Sequence, residues 1–257
     1  MAFPLLNRLW QQRVQPFTAL NAMRKLLANP DDTEQVFRII EALKGNGLQR
    51  AHRRLSITEE GQALLLNRPD IVRVLNDREA LLALPEGSIG RRYAGFVHGE
   101  GLSADGLIAS SETGQSLDLL SLQERYIGER LRDIHDLQHV MTGYGRDPLG
   151  ELCLLAFMTA QTPNRGIDFI IFMARQKYRR EFPRVPVDAM VAEGRRIGLE
   201  AQWMLEKPWE ALISRDLSAQ RELMGFKAPT QYLRFCESNP QLIQDLRLRG
   251  INAVPAA

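Results

Sequence analysis

The chain has 257 residues, of which 33 are lysine or arginine, 31 are aspartate or glutamate and four are histidine, so its formal net charge is +2. An apolar fraction of 44% is enough for the core of one large domain or two small ones, and the near-balanced charge gives no general argument for nucleic-acid binding. Two distant cysteines argue against a disulfide framework, and no apolar run approaches the roughly 18 residues of a membrane-spanning helix.

The first half of the chain predicts short helices separated by turns. Apolar residues recur at helical spacing, and Pro, Gly, Asn and Asp mark the breaks. The N-terminus has no secretory pattern, so we interpret residues 1–16 as an arm. The glycines of residues 99–106 lack the spacing of a dinucleotide-binding fingerprint and are interpreted as turn residues. The predicted helices are residues 17–27, a segment from a cap at 31–33 to Gly45, residues 58–66 and residues 91–97.

The second half predicts longer helices. Residues 121–141 form the helix that carries two of the histidines, and the next helix begins with Asp147 as its N-cap and Pro148 as its first residue. Strand-like alternation is scarce, so the sequence predicts an all-α fold in a single compact multi-helix domain. We expect Trp203 and Trp209 to be core or interface aromatics. Residues 152–160 continue the helix that Pro148 opens, and the other predicted helices are residues 167–174, 189–205, 209–213 and 217–224.

Residues 167–184 join an apolar stretch to a basic end. One interpretation is a buried helix with a solvated end. The other is an amphipathic surface whose cations face anionic lipid headgroups. The cations are Arg175, Lys177, Arg179, Arg180 and Arg184.

A candidate metal site lies on the helical hairpin of residues 135–151. His135 and His139 are four residues apart, so on a helix they lie one turn apart on the same face. A loop rich in glycine and proline follows, and it places Glu151 in the first turn of the next helix. If the hairpin folds back antiparallel, Glu151 can face both imidazole rings. The sequence therefore predicts a cluster of two histidines and one or two carboxylates.

This donor set suits zinc in a catalytic site, or ferrous iron with open coordination positions. Asp136 points about a quarter-turn from His135 on a helical wheel. It can be a fourth ligand, a partner that orients a histidine, or a base. The alternative for the whole cluster is a pair of hydrogen-bonded histidines beside a helix cap. We predict His135, Asp136, His139 and Glu151 as metal ligands, with Asp136 and Glu151 as the catalytic residues.

The same residues resemble the hallmark of the Coq4 family of ubiquinone-biosynthesis proteins. That hallmark is His-Asp-x-x-His, then eleven residues, then Glu, and His135, Asp136, His139 and Glu151 match it. The resemblance covers roughly residues 17–226 and leaves 227–257 as a C-terminal extension. Further family-like landmarks occur in the same order: Arg68-Pro69, residues 84–91, Tyr93, Phe96, Tyr126, Arg130, Arg132, residues 194–196, Trp209-Glu210 and residues 221–225.

The resemblance implies a compact all-helical fold and a divalent metal bound by the hallmark residues. It implies removal of the C1 carboxyl group from a polyprenylated hydroxybenzoate precursor of ubiquinone, in some descriptions coupled to hydroxylation. It also implies binding to a membrane surface and to other ubiquinone-biosynthesis enzymes. We therefore expect a cytoplasmic homo-oligomer that is peripheral on the inner face of the membrane, does not bind nucleic acid and is a carbon–carbon lyase. The apolar helices around residues 152–174 are expected to line a groove for the isoprenoid tail.

Two other functions compete with this one. The first is a non-catalytic protein that binds an isoprenoid or quinone precursor and scaffolds other enzymes, with the metal closed off in a structural site. The second is a metal-dependent phosphohydrolase of the His-Asp type. That class needs a further upstream histidine, and His52 and His98 have no supporting context.

Overall fold

The computed structural model describes residues 14–29, 32–43, 45–98 and 120–251. These residues form helices and one isolated bridge between Ser88 and Asp216, which confirms the all-α prediction. The turn expected at residues 99–106 and most of the expected arm lie outside the described residues. None of the described helices combines the length and hydropathy that crossing a bilayer requires. The α-helices are α1 Pro16–Ala28, α2 Thr33–Ala42, α3 Gly47–Leu55, α4 Glu59–Asn67, α5 Ile71–Asn76, α6 Arg78–Ala83, α7 Ile89–His98, α8 Leu122–Asp133, α9 His135–Thr142, α10 Pro148–Gln161, α11 Arg165–Glu181, α12 Val187–Glu200, α13 Trp209–Leu212, α14 Leu217–Leu223, α15 Thr230–Ser238 and α16 Pro240–Ile251.

The main core is built around α10, which is apolar on most of its circumference. Leu154, Ala156 and Phe157 are fully buried and belong to the largest apolar cluster. These side chains are packed against protein and do not line an open groove, whereas Leu155 and Met158 of the same helix are only partly buried. The helix is hydrophobic all round because it is surrounded by other helices. Trp203 and Trp209 are buried, which confirms their predicted place.

Helix α12 approaches α10 closely because two of its residues are glycines on one face. A Cβ built on Gly194 would lie 2.5 Å from the carbonyl oxygen of Cys153, and one built on Gly198 would lie 2.5 Å from that of Phe157. Both obstacles are backbone atoms, which cannot rotate away. The pairing of α10 with α12 therefore depends on these glycines, and it holds in place the helix that carries Glu151.

We expect Gly198→Ala to lower the free energy of unfolding by roughly 1–3 kcal/mol, because the added methyl group forces the two backbones apart. Urea denaturation measures the change. Gly128→Ala in α8 is the control, since its Cβ would meet only Leu48 at 3.9 Å. That change should stabilise the protein by about 0.5–1 kcal/mol through the better helix propensity of alanine. Equal stability of the two variants would contradict the close packing.

Two predicted helix boundaries are wrong. Residues 121–141 form two helices instead of one, because Ile134 leaves the helical geometry with φ −87° and ψ 4°. The helix predicted to end at residue 205 ends at Glu200. Its end is set by Gln161, whose buried side-chain amide donates to the carbonyl groups of Gly198 and Ala201. The side-chain oxygen of Gln161 also accepts a hydrogen bond from the Met204 amide.

Helices α15 and α16 lie within residues 227–257, the segment predicted to be a C-terminal extension. Ile243 and Leu246 of α16 are buried and belong to the main apolar cluster. At the start of α15, Thr230 Oγ1 and the Gln231 amide each donate to the buried Glu193 carboxylate at 2.8 Å. These contacts fix both helices against the body of the protein.

Candidate metal centre

The two histidines lie on α9, and the glutamate lies in the first turn of α10. Gly143 ends α9 in the left-handed conformation (φ 85°), and its amide donates to the His139 carbonyl at 2.8 Å. Asp147 caps α10 by accepting from the Leu149 and Gly150 amides, with Pro148 at the first helical position. The predicted cap is confirmed, and the loop turns the chain so that Glu151 faces α9.

The Glu151 carboxylate bridges the two imidazole rings. Its Oε1 lies 3.2 Å from His135 Nε2, and its Oε2 lies 3.1 Å from His139 Nε2. The side chain of His139 is 1% exposed and that of His135 is 17% exposed, whereas the Glu151 side chain is 38% exposed. The cluster is therefore closed on the histidine side and open to solvent on the glutamate side.

The opposite nitrogen of each ring faces a hydrogen-bond acceptor. His139 Nδ1 lies 3.1 Å from the Tyr144 carbonyl oxygen, and His135 Nδ1 lies 3.4 Å from Asp136 Oδ1. A carbonyl group only accepts, so the Nδ1 of His139 is the donor to Tyr144, and Nε2 is the ring atom that faces Glu151. This is the arrangement that outer partners impose on metal-binding histidines.

Asp136 is buried beside His135 and has a cation as a second neighbour. Arg146 Nη1 lies 3.8 Å from Asp136 Oδ1. His135, Asp136 and His139 each offer a ligand atom within 4.8 Å of the others, so this group could hold a metal ion. Burial would raise the pKa of Asp136, but its hydrogen bond to His135 and the charges of His135 and Arg146 lower it. Asp136 is therefore ionised at neutral pH.

The histidines and carboxylates of the cluster shift one another's pKa values. Burial by itself lowers the pKa of His135, but the Glu151 and Asp136 carboxylates outweigh this and raise it to about 10. Burial by itself raises the pKa of Glu151, but the two histidines hold it well below its usual value. In the metal-free protein a proton on His135 therefore occupies the space between the imidazole and the carboxylate, where a cation would bind.

A cleft of about 690 Å³ reaches His139. The Phe96 ring lies against the imidazole with ring centroids 5.1 Å apart, and Val140 and Leu217 add apolar walls. The charged residues that line the cleft could not be predicted from the sequence, because they come from four separate parts of the chain. The charged residues are Arg92, Arg146, Asp216, Arg221 and Arg247.

The basic end of α11 is largely engaged in protein contacts. Arg175 and Arg179 both pair with Asp188, at 2.6 and 2.7 Å. Lys177 donates to the Leu27 carbonyl at 2.9 Å. These three cations stabilise the packing of α11 against neighbouring parts of the chain.

Comparisons with known proteins show the same family as the sequence resemblance. The family model described as "Coenzyme Q (ubiquinone) biosynthesis protein Coq4" matches residues 10–230. A mitochondrial ubiquinone biosynthesis protein coq4 of Aspergillus fumigatus is 30% identical over 173 residues, which are 66% of this chain and 57% of the fungal protein. The corresponding protein of Botryotinia fuckeliana is also 30% identical over 173 residues, 66% of this chain and 58% of its own length.

A solved structure has the same fold. It is the crystal structure of a candidate ubiquinone biosynthesis protein from Nostoc punctiforme, with a TM-score of 0.63 and 23% sequence identity. The superposition covers 83% of this chain and 99% of that one. The chain thus spans less than two thirds of the fungal relatives but nearly all of the cyanobacterial protein.

Proposed function

Because the chain belongs to the Coq4 family of coenzyme Q (ubiquinone) biosynthesis proteins, we propose that it removes the C1 carboxyl group of a polyprenylated hydroxybenzoate precursor in a metal-dependent reaction. The observation that carries this proposal is the Glu151 carboxylate held between His135 Nε2 and His139 Nε2. Two imidazole nitrogens and a carboxylate form the donor set of catalytic zinc sites and of ferrous iron sites with open positions.

The donor set fits a catalytic site better than a structural one. A structural zinc site is closed by four protein ligands, whereas a catalytic site keeps a position for water or substrate. The Glu151 side chain is 38% exposed, so a small molecule can approach the cluster from the glutamate side. We propose His135, His139 and Glu151 as ligands and Asp136 as the residue that orients His135 through Nδ1, close enough to serve as a fourth ligand.

In the proposed reaction the bond between C1 and the carboxyl carbon breaks, carbon dioxide leaves, and a proton takes its place on C1. A bound divalent cation supplies a Lewis acid there. Asp136 and Glu151 are ionised at neutral pH because their pKa values are lowered, so they are suited to binding a cation and hold a proton only weakly. The replacing proton then comes from solvent at the open side of the cluster. Phe96, Val140 and Leu217 provide apolar walls for the aromatic ring.

The reaction is tested with a prenylated 4-hydroxybenzoate that carries ¹³C in its carboxyl group. The protein is freed of metal with a chelator and reloaded with zinc or ferrous iron, with and without oxygen. We expect labelled carbon dioxide only from reloaded protein, and oxygen dependence would identify an oxidative version. Binding of the lipid without labelled carbon dioxide under any condition would overturn the enzymatic proposal in favour of a carrier.

We expect metal affinity to rise about tenfold per pH unit between pH 7 and 9. His135 has a pKa of about 10 in the metal-free protein, so at pH 7 it must lose a proton before Nε2 can bind a cation. Competition with a fluorescent chelator at pH 7, 8 and 9 measures the slope. A flat profile would contradict a ligand role for His135.

The metal-free protein should show the opposite trend in stability. The pKa of His135 is higher in the folded protein (about 10) than its usual value of 6.5, so protonation of His135 stabilises the fold. This stabilisation is fully present below pH 6.5 and is lost as the pH rises towards 10. The midpoint of thermal unfolding of chelator-treated protein, followed as a function of pH, measures this trend in stability.

We also propose that the protein lies on a membrane surface through α1 and α11, alongside other enzymes of ubiquinone biosynthesis. Phe17 of α1 and Phe172 of α11 are exposed. The two helices pack together through one apolar cluster, so both phenylalanines belong to the same part of the molecule. Exposed aromatic side chains on amphipathic helices suit insertion at the headgroup boundary.

A further inference from the structure

The cleft beside the candidate metal centre has an excess of positive charge. Four arginines line it, and Asp216 is its one acidic lining residue among those that the structure describes. Arg146 faces Asp136, and Asp216 caps α14 by accepting from the Ala219 amide at 2.8 Å. The other three cations, Arg92, Arg221 and Arg247, come from α7, α14 and α16.

Arg221 is held rigidly at the end of the histidine helix. Its Nε donates to the Met141 carbonyl at 3.0 Å, and its Nη2 donates to the Val140 carbonyl at 2.6 Å. These contacts use two of its five N–H groups and leave three for other acceptors. Arg92 and Arg221 line the same cleft, and the pKa of Arg221 is lowered by burial and, further, by the charge of Arg92.

Arg247 reaches the same cleft from the C-terminal segment. It lies beyond residue 230, where the match to the family model ends. A Cβ built on Gly145 would lie 3.6 Å from Arg247 Nη2, and one built on Gly143 would lie 3.6 Å from Arg221 Nη2. The two guanidinium groups therefore approach the loop 143–145, whose middle residue, Tyr144, fixes His139.

Tyr232 of α15 attaches the C-terminal helices to this loop. Its hydroxyl group donates to Asp147 Oδ2 and accepts from the Gly145 amide at 3.0 Å. Its ring contacts that of Tyr144 with centroids 5.3 Å apart. The position of the cleft wall that carries Arg247 is thus coupled to the loop between the two metal-binding helices.

We propose that Arg92, Arg221 and Arg247 form an anion subsite in which the C-terminal helices complete the recognition of the carboxylate of an aromatic acid. The choice of an aromatic acid rests on the proposed function. Guanidinium groups match the planar carboxylate with paired, charge-assisted hydrogen bonds. Neighbouring guanidinium groups repel one another until an anion lies between them. A carboxylate held here lies in the cleft that His139 lines.

The test compares the binding of 4-hydroxybenzoate with that of 4-hydroxybenzamide, its neutral counterpart of the same shape, by calorimetry. Arg92 and Arg247 are exposed, so Arg92→Gln and Arg247→Gln should fold normally. We expect each variant to weaken 4-hydroxybenzoate binding about tenfold and to leave the amide unchanged. Arg234→Gln is the matched control, because Arg234 is an exposed arginine of the same C-terminal segment that does not line the cleft.

Three results would overturn the subsite. The first is that Arg92→Gln and Arg247→Gln lose binding of 4-hydroxybenzoate and 4-hydroxybenzamide equally, and the second is that they lose binding of neither. The third is that Glu151→Gln no longer prefers the acid over the amide, which would assign the carboxylate to the metal. Binding of phenyl phosphate more than tenfold tighter than 4-hydroxybenzoate would assign the subsite to a phosphate monoester and overturn the carboxylate. If Arg92 and Arg247 control binding but no labelled carbon dioxide is released, the proposed reaction fails and the subsite stands.

Discussion

Glu151→Gln is expected to lower zinc affinity by more than roughly 100-fold and to abolish release of labelled carbon dioxide. A loss of roughly 100-fold is the upper range for replacing a residue that only hydrogen-bonds to a metal ligand, and Glu151 is proposed to be a ligand itself. The carboxylate contacts both Nε2 atoms, so its replacement removes a negative ligand and the group that directs both rings. The glutamine side chain keeps the shape but carries no charge. Equilibrium competition against a chelator of known affinity measures the loss.

Glu129→Gln is the matched control for this variant. Glu129 lies on α8, pairs with Arg125 and has a side chain that is 38% exposed, the same fraction as Glu151. We expect its metal content and activity to match those of the unaltered protein. Circular dichroism of Glu151→Gln should show an unchanged helical fold. Full metal content in Glu151→Gln would contradict its role as a ligand and with it the proposed catalytic site.

The parts of the site that lie close together in the chain could be predicted from the sequence. The spacing of His135 and His139, the Asp147-Pro148 cap and the turn at Gly143 are local signals, and each has the structural consequence that local physics assigns to it. Together they bring Glu151 onto the face of α9. The hairpin was therefore accessible from propensity and periodicity alone.

The parts that depend on distant contacts could not be predicted. Gln161 ends α12 by bonding to carbonyl groups 37 to 41 residues away, and no local pattern marks it as a helix terminator. Helix α3 was not predicted, because its sequence is mostly basic and polar. It packs through apolar residues such as Ala51 and Leu55 and through Arg54, which lies 4.1 Å from the centroid of the Trp203 ring. The arginines of the cleft converge only in the folded chain.

We expect Arg130→Met to lower the free energy of unfolding by about 3–5 kcal/mol. The Arg130 side chain is 1% exposed and forms a two-pronged pair with Glu210, at 2.8 and 3.1 Å. It also donates to the Lys207 and Leu205 carbonyls. Its removal leaves a partly buried carboxylate and two carbonyl groups without their donor, whereas methionine replaces only the apolar stem. Guanidinium denaturation of metal-free protein measures the change.

Arg125→Met separates the effect of burial from that of losing a charge on α8. Arg125 pairs with Glu129 on the surface, where such pairs contribute about 1 kcal/mol or less. A loss of stability in Arg130→Met as small as that in Arg125→Met would contradict the argument. The double variant Arg130→Met with Glu210→Met should recover part of the loss, because no unpaired charge is then buried. Since α8 leads through Ile134 into α9, the ion pair of Arg130 anchors the last turn of the helix that precedes His135.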